Sequence, residues 1–445
     1  MNIRSSSFFL KNLGLSLLLV GLMGACAPEV KEATQPAFPL SVDADNGLLE
    51  LPDGFGAFVV ADSLGRGRHI AVRDNGDIFL KLRRLQDGKG ILALRDADQD
   101  GRIDQVEAFG DYVGTGMRIH EGYLYASSML TVFRYKLDPD KLLPQLPPDT
   151  IASGFPEQNQ HADKTLAFDQ AGNMYVNVGA PSNACQEQMR TPGSMGLDPC
   201  PQLDLQAGIW KFSATQAGQT QQEHGQRYAT GIRNAIALEW NPQTDGLYAM
   251  QHGRDGLHDL WKDLFDTKES AELPAEEFLQ IDEGDDFGWP FCYYNQLEEK
   301  KMLAPEYGGD GQIQGRCEGI KPPIVGFPGH MAPNDLHFYQ GDMFPAKYKH
   351  GAFIAFHGSW NRAPEPQAGY FVVFQPMADG KASGDWEVFA EGFTQADTIL
   401  NPRKSAYRPV GLAEGPDGSL YVSDSQQGRI WRIVYQNQKL ATIEE

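Results

Sequence analysis

Six times along the chain a glycine turn runs straight into a short alternating strand that carries an aromatic residue. The copies are DNGDIFL at Asp74, HEGYLYA at His120, QAGNMYVNV at Gln170, TDGLYAM at Thr244, KHGAFIAF at Lys349 and PDGSLYVS at Pro416. Each reads as the tight turn and second strand of a hairpin. The starts, at positions 74, 120, 170, 244, 349 and 416, are 46 to 105 residues apart. That is too uneven for a regular solenoid and suits propeller blades that carry long insertions. Few segments have the period of a long amphipathic helix. The expected fold is all-β, a six-bladed β-propeller with long loop insertions on one face. A strand near Phe55 to Ala61 should complete the last blade beside GRIWRIVY at Gly428, leaving no open edge. A pair of β-sandwiches is the alternative that unequal blades keep open. Either fold is affordable, since 445 residues at 41% hydrophobic content bury a large core and 48 Gly with 28 Pro supply the turns.

Residues 1–26 read as an export signal: Arg4 and Lys11 flank the start, LGLSLLLVGLM is the apolar run, and Gly24-Ala25 precede Cys26. A cysteine after small residues is the pattern of a bacterial lipoprotein processing site, so Cys26 is the expected lipid anchor; a plain secretory signal cleaved near Ala25 or Ala27 is the alternative. Residues 27–44 read as a tether, 45–436 as the propeller and 437–445 as a tail. The protein is therefore expected outside the cytoplasm, on the periplasmic or surface face of a membrane that it meets only through the lipid. Four further cysteines in an exported chain suggest two disulfides, and sequence proximity favours Cys185 with Cys200 and Cys292 with Cys317 over the other pairings. No CxxCH motif for a covalent haem occurs.

Between the first two copies stands DADQDGRIDQVE, with Asp96, Asp98, Asp100 and Asp104 at loop positions 1, 3, 5 and 9, a Gly at 6 and Glu107 at 12. That is the oxygen-ligand pattern of a twelve-residue calcium loop. Its flanks, ILAL and VEAF, read as strands, so the calcium expected here would brace a blade rather than an EF-hand; a solvated acidic turn is the plain alternative.

The stretch from Tyr228 to Asp255 joins Arg233 and Asn234, ahead of one strand, to His252, Gly253 and Arg254, behind the next, through a turn at Asp245-Gly246. A hairpin there sets both polar ends on one rim. His161 stands ahead of another predicted strand, where a neutral imidazole could remove a hydroxyl proton. Arg362 and Arg408, with Arg68, recur near strand ends in other blades, and Trp360 in FHGSWNR offers a stacking face. Singly, each is more often a surface ion pair or a packed ring; their shared position is what counts. A net charge of -21 argues against nucleic acid and anionic lipid as partners, so an anionic ligand must be held by a local arginine cluster.

Taken in order, GIRNAIALEW, QHGRD, EGDDFGWPFC, HGSWNR and YRPVGLA resemble the glucose/sorbosone dehydrogenase family, soluble quinoprotein sugar dehydrogenases on a six-bladed propeller. The resemblance spans about residues 45–436. It implies pyrroloquinoline quinone and calcium as cofactors, a sugar substrate, and a separate electron acceptor, a cytochrome or a quinone. It implies His161 as the general base, Arg233, Asn234 and Arg408 as quinone contacts, Trp360 or Arg362 as a further contact, and the backbone carbonyls of Gly253 and Arg254 as calcium ligands. In glucose oxidisers of the family an Asp that supports the catalytic His stands where this chain has Ala180, and Ile232 replaces a residue that is often polar. Asp163 could support the imidazole only if the backbone turns it inward. Two rival readings are a calcium-dependent lactonase, which would want acidic ligands at the centre, and a non-catalytic glycan-binding lipoprotein, which the missing Asp would suit.

Overall fold

All six glycine turns fold the same way: each closes the hairpin between the first and second strands of a sheet, pairing Val72 with Ile78, His120 with Tyr123, Phe168 with Met174, Asn241 with Gly246, Phe338 with Ala352 and Glu414 with Leu420. The computed structural model describes residues 41–436; the signal 1–26 with Cys26, all but the end of the tether 27–44, and the tail 437–445 lie outside the described residues.

The sheets are six blades of a propeller. The first has strands Gly67–Val72, Ile78–Gln86, Lys89–Arg95 and Gln105–Phe109. The inner strands of the others are Met117–His120, Leu166–Phe168, Ala237–Asn241, Pro333–Phe338 and Pro409–Glu414. Each is followed outward by antiparallel strands, and the second and third blades each add a two-residue parallel strand at the outer edge, Gln219–Thr220 and Asp285–Asp286. The sixth blade borrows its outermost strand from the N-terminal side: Phe55–Ala61 pairs antiparallel with Ile430–Tyr435, as expected from the sequence. This converts two open edges into one ladder. Trp431, fully buried and donating its indole N–H to Gly47 C=O at 2.8 Å, pins that closure, and removing so large a side chain would cost about 3–5 kcal/mol.

Apolar faces of neighbouring blades pack on each other, the aromatic layer of Tyr348, Phe353, Phe374 and Phe389 being an example. Inner strands crowd most where the first and sixth blades meet: a Cβ on Gly411 would lie 2.7 Å from Arg68 C=O, so only glycine lets that carbonyl approach. Along the axis the strands carry charge. Arg118 of the second blade reaches Asp335 of the fifth at 2.6 Å, and His337 sits between Glu239 at 3.1 Å and Glu414 at 3.0 Å. Burial would raise the Asp335 pKa, but Arg118 and His69 hold it below the usual carboxylate range. These groups close the lower axis by pairing with each other.

The disulfides join Cys185 to Cys200 and Cys292 to Cys317, the pairings expected from sequence. In the acidic loop, between the third and fourth strands of the first blade, Asp96, Asp98 and Asp104 converge. Asp100 instead accepts the Arg102 backbone N–H, and Glu107 lies on the strand opposite Ala93, outside the cluster. The twelfth position fails because a strand leaves the loop. An outgoing strand carries its side chains away from the loop, where a helix would turn one back.

Candidate functional site

Every inner strand begins at the same end of the propeller, and residues at or just ahead of those starts line one cavity of about 590 Å³. Arg68, Thr115, His161, Arg233, Asn334 and Arg408 come to it from blades one to six in turn. The second strands of the hairpins return to the same end. His252, Gly253 and Asp255 follow Gly246–Gln251, and His357, Trp360 and Asn361 follow Ala352–Phe356. The rim expected from the hairpin at Asp245-Gly246 is therefore real, and it is a ring rather than a pair.

One wall is cationic. Arg68 is half-buried, its buried Nη1 has no hydrogen-bond partner among the described residues, and desolvation lowers its pKa to about 10. Arg408 donates Nε to His357 C=O at 2.9 Å and Nη2 to Gly358 C=O. Exposed Arg83, which sequence reading missed, joins them from the far end of Ile78–Gln86. None of the three forms an ion pair among the described residues. Three guanidiniums beside one cavity without a carboxylate partner leave a local positive charge in a chain of net charge -21.

The opposite wall is richer in oxygen. Asp255 takes Arg233 Nη2 at 3.0 Å, Arg190 Nη2 at 2.6 Å and Asn361 Nδ2 at 2.9 Å. Burial would raise its pKa, but Arg233 and Arg190 hold it well below the carboxylate range. Glu276 accepts the backbone N–H groups of Gly253 and Ala332, and burial pushes its pKa up to about 8. Gly253 C=O receives Arg233 Nη1 at 3.0 Å. Neither carboxylate was singled out from sequence, where QHGRD and AEEF give no sign of which acids turn inward.

His161 lies between the walls. Its Nδ1 is 2.6 Å from Ala180 C=O, which as an acceptor requires the proton on Nδ1 and leaves Nε2 with its lone pair. Burial, then the charge on Arg233, lowers its pKa to about 3, so the ring is neutral at ordinary pH. The backbone carbonyl thus occupies the position for which sequence reading lacked a carboxylate. Asp163 lines the cavity but makes no hydrogen bond to His161 among the described contacts. Ile232 is fully buried in the apolar layer between blades.

The other expected residues divide. Asn234 and Trp360 line the cavity, the latter 58% exposed. The Arg254 side chain turns away to a buried pair with Glu306; the group expected at the calcium is its backbone carbonyl, next in the chain to that of Gly253. Arg362 is also directed elsewhere, donating to Ala271 C=O, Gly329 C=O and Glu272. It braces the loop behind the cavity and is not part of the wall.

The model of the TrAA12-like family matches residues 49–436. An uncharacterized protein of Borreliella burgdorferi is 29% identical over 211 residues, 47% of this chain and 48% of the relative. A pyrroloquinoline quinone-dependent pyranose dehydrogenase of Coprinopsis cinerea is 31% identical over 244 residues, 47% of this chain and 31% of the relative. The matches thus span about half of the first relative's length and about a third of the second's. Among solved structures, the holo form of the pyranose dehydrogenase PQQ domain from Coprinopsis cinerea superposes with a TM-score of 0.68 at 20% identity, covering 87% of this chain and 97% of that one. A calcium structure of Trichoderma reesei carbohydrate-active enzymes family AA12 gives 0.70 at 17% identity, covering 90% and 99%. At those identities the structures speak to the fold.

Proposed function

The chain belongs to the TrAA12-like family, and we propose that it oxidises a sugar hydroxyl with pyrroloquinoline quinone and calcium as cofactors. The observation that carries the reading is the wall of Arg68, Arg83 and Arg408, none of which lies within ion-pair distance of a carboxylate among the described residues. A planar tricarboxylate is the kind of ligand that such a wall suits, and the unpartnered Nη1 of Arg68 is a donor waiting for an acceptor. Arg233 and Asn234 flank the same space from the fourth blade. The backbone carbonyls of Gly253 and Arg254, with Asp255 and Glu276 of the same wall, are the oxygen donors that fit a hard divalent cation. When bound, the quinone accepts the hydride and calcium draws charge from its carbonyl.

The chain's own part is the proton. His161 is held neutral, with Nε2 free of its own proton, and takes the proton of the substrate hydroxyl there. The pKa of about 3 comes first from burial and then from the charge on Arg233, which Asp255 offsets only in part. An anionic ligand on that arginine removes part of the depression and raises the basicity of the ring when it is needed. Trp360 gives an exposed aromatic face on which a pyranose ring can stack. The electron acceptor is a separate carrier, and the 45–436 propeller is the catalytic domain.

Export through residues 1–26 and lipid attachment at Cys26 complete the proposal, supported by two disulfides that suit an oxidising compartment. The Asp96 cluster supports a second, bracing calcium.

The test is calorimetric titration of the full chain with the quinone, with and without calcium, followed by absorbance on adding aldoses. Calcium-dependent binding and sugar-dependent bleaching are expected. A chain that takes up no quinone in calcium would end the reading.

A further inference from the structure

His161 and Arg233 come from different blades, yet both lean on one short stretch of chain that lines little of the cavity itself. Ala180 accepts His161 Nδ1 through its carbonyl and donates its own N–H to Arg233 C=O at 2.7 Å. Three residues on, Asn183 meets the arginine twice. Its carbonyl accepts Arg233 Nε at 3.2 Å and its Oδ1 accepts Arg233 Nη2 at 3.0 Å. The same side chain grips Asp255 from both sides, Oδ1 taking the Asp255 N–H at 2.8 Å and Nδ2 donating to the Asp255 C=O at 2.9 Å. One amide thus sets both halves of the Arg233–Asp255 pair. Asn183 is fully buried.

What holds Asn183 is covalent. Two residues later Cys185 is tied to Cys200. The Ser182 hydroxyl donates to Gln202, on the far side of that disulfide, and accepts the Cys185 N–H. Trp289 donates its indole N–H to the Asn183 carbonyl at 3.0 Å. Ala180, Cys185, Cys200 and Trp289 form one buried cluster. Ala180 can offer His161 only a backbone carbonyl, and a carbonyl is placed by its backbone, so the rigidity of this stretch does what a supporting side chain would otherwise do.

We infer that Asn183, anchored by the Cys185–Cys200 disulfide, is the positioning residue of the cavity: it holds Arg233 and Asp255 in register for the ligand while the same stretch presents the carbonyl that orients His161. The inference rests on the function proposed above, since its consequence is read on quinone binding. Asn183 touches neither quinone nor substrate in this scheme; it acts through Arg233 and Asp255. A residue that merely filled the loop would change melting temperature and leave affinity alone.

Calorimetric titration of the full chain with pyrroloquinoline quinone in calcium, alongside thermal unfolding of the same samples, separates the two. Asn183→Ala keeps the backbone carbonyl and loses three side-chain bonds, so its affinity should fall roughly tenfold or more. Asn183→Asp keeps both acceptor bonds but sets a carboxylate oxygen against the Asp255 carbonyl in place of the donor, so it should also weaken binding, and it decides the matter if the alanine variant fails to fold. Cys185→Ala with Cys200→Ala should weaken binding as Asn183→Ala does. Cys292→Ala with Cys317→Ala should lower the melting temperature and spare affinity. Wild-type affinity in both Asn183 variants, or equal loss from both cysteine pairs, would overturn the inference while quinone binding by the parent protein stood. No binding by the parent would remove the functional reading first, a different and distinguishable result.

Discussion

Two storeys of one axis, built from the same inner strands, hold histidines in opposite states. In the lower storey burial would depress His337, but Glu239 and Glu414 outweigh it and push its pKa up to about 10. In the upper storey burial and Arg233 drive His161 down to about 3, against which the Ala180 carbonyl and the more distant Asp255 are too weak. Depth alone does not separate them, since both are enclosed. What differs is whether the protein supplies the opposite charge. Arg118 has Asp335 and His337 has two glutamates, whereas among the described residues no carboxylate comes within ion-pair distance of Arg68, Arg83 or Arg408. The lower storey is its own ligand, and the upper one keeps its binding capacity for something else.

The sharpest way to break this contrast is to exchange the two histidines' expected phenotypes. His161→Asn should slow sugar-dependent quinone reduction by about 10²–10⁴-fold while quinone stays bound, and His337→Gln should leave that rate unchanged. Stopped-flow absorbance measures both, and a full-speed His161→Asn would reduce that residue to scaffolding.

Next in size is the cationic wall. Arg408→Ala or Arg233→Ala should weaken quinone binding by about 1.5–3 kcal/mol each, the loss of a charge-assisted contact in a partly dry site. Unchanged calorimetric affinity in both would leave the upper storey as inert as the lower one.

On stability the order reverses. His337→Gln should cost roughly 2–3 kcal/mol, less than the ~3–5 kcal/mol of a fully buried pair because Glu239 and Glu414 keep 20% and 18% of their surface. Because its folded pKa is raised, the His337 contribution is complete below its ordinary value of 6.5 and fades as pH climbs towards 10. His161 works the other way, its depressed pKa withdrawing stability as pH falls from 6.5 towards 3. Denaturant midpoints across pH should show the alkaline loss in the wild type and not in His337→Gln.

Arg362→Ala tests the boundary between wall and brace. It leaves the Ala271 and Gly329 carbonyls unpaired and should cost about 1–3 kcal/mol of stability with no change in quinone affinity. Weaker binding in that variant would return Arg362 to the site. The smallest effect is expected at the acidic loop, where added calcium should raise the melting temperature of the wild type by a few degrees and that of Asp98→Asn by less.

Much of this was legible in the sequence because it is local. A turn at Asp245-Gly246 fixes which end of two strands meets which, so the rim positions of Arg233, His252 and Gly253 followed from spacing, as did the closing strand and the disulfide partners. What stayed hidden depends on contacts distant in the chain. Arg362 and Arg408 sit in equally promising motifs, and only the carbonyls of Ala271 and Gly329 turn the first away. Arg190 reaches the cavity from a loop with no strand to announce it, and Arg83 from a strand that outruns its blade. Glu107 fitted a calcium loop by count, and the strand that follows overrode the count.

The closure of the sixth blade by Phe55–Ala61 sets the timetable for the whole chain. During synthesis that strand emerges long before Ile430–Tyr435 and must wait for it before its hydrogen bonds have a partner. The ring is therefore completed by its most distant pairing, the slowest kind to form. Until then the nascent chain has two open edges and an unfinished axis, a state that a protease or chaperone can still read.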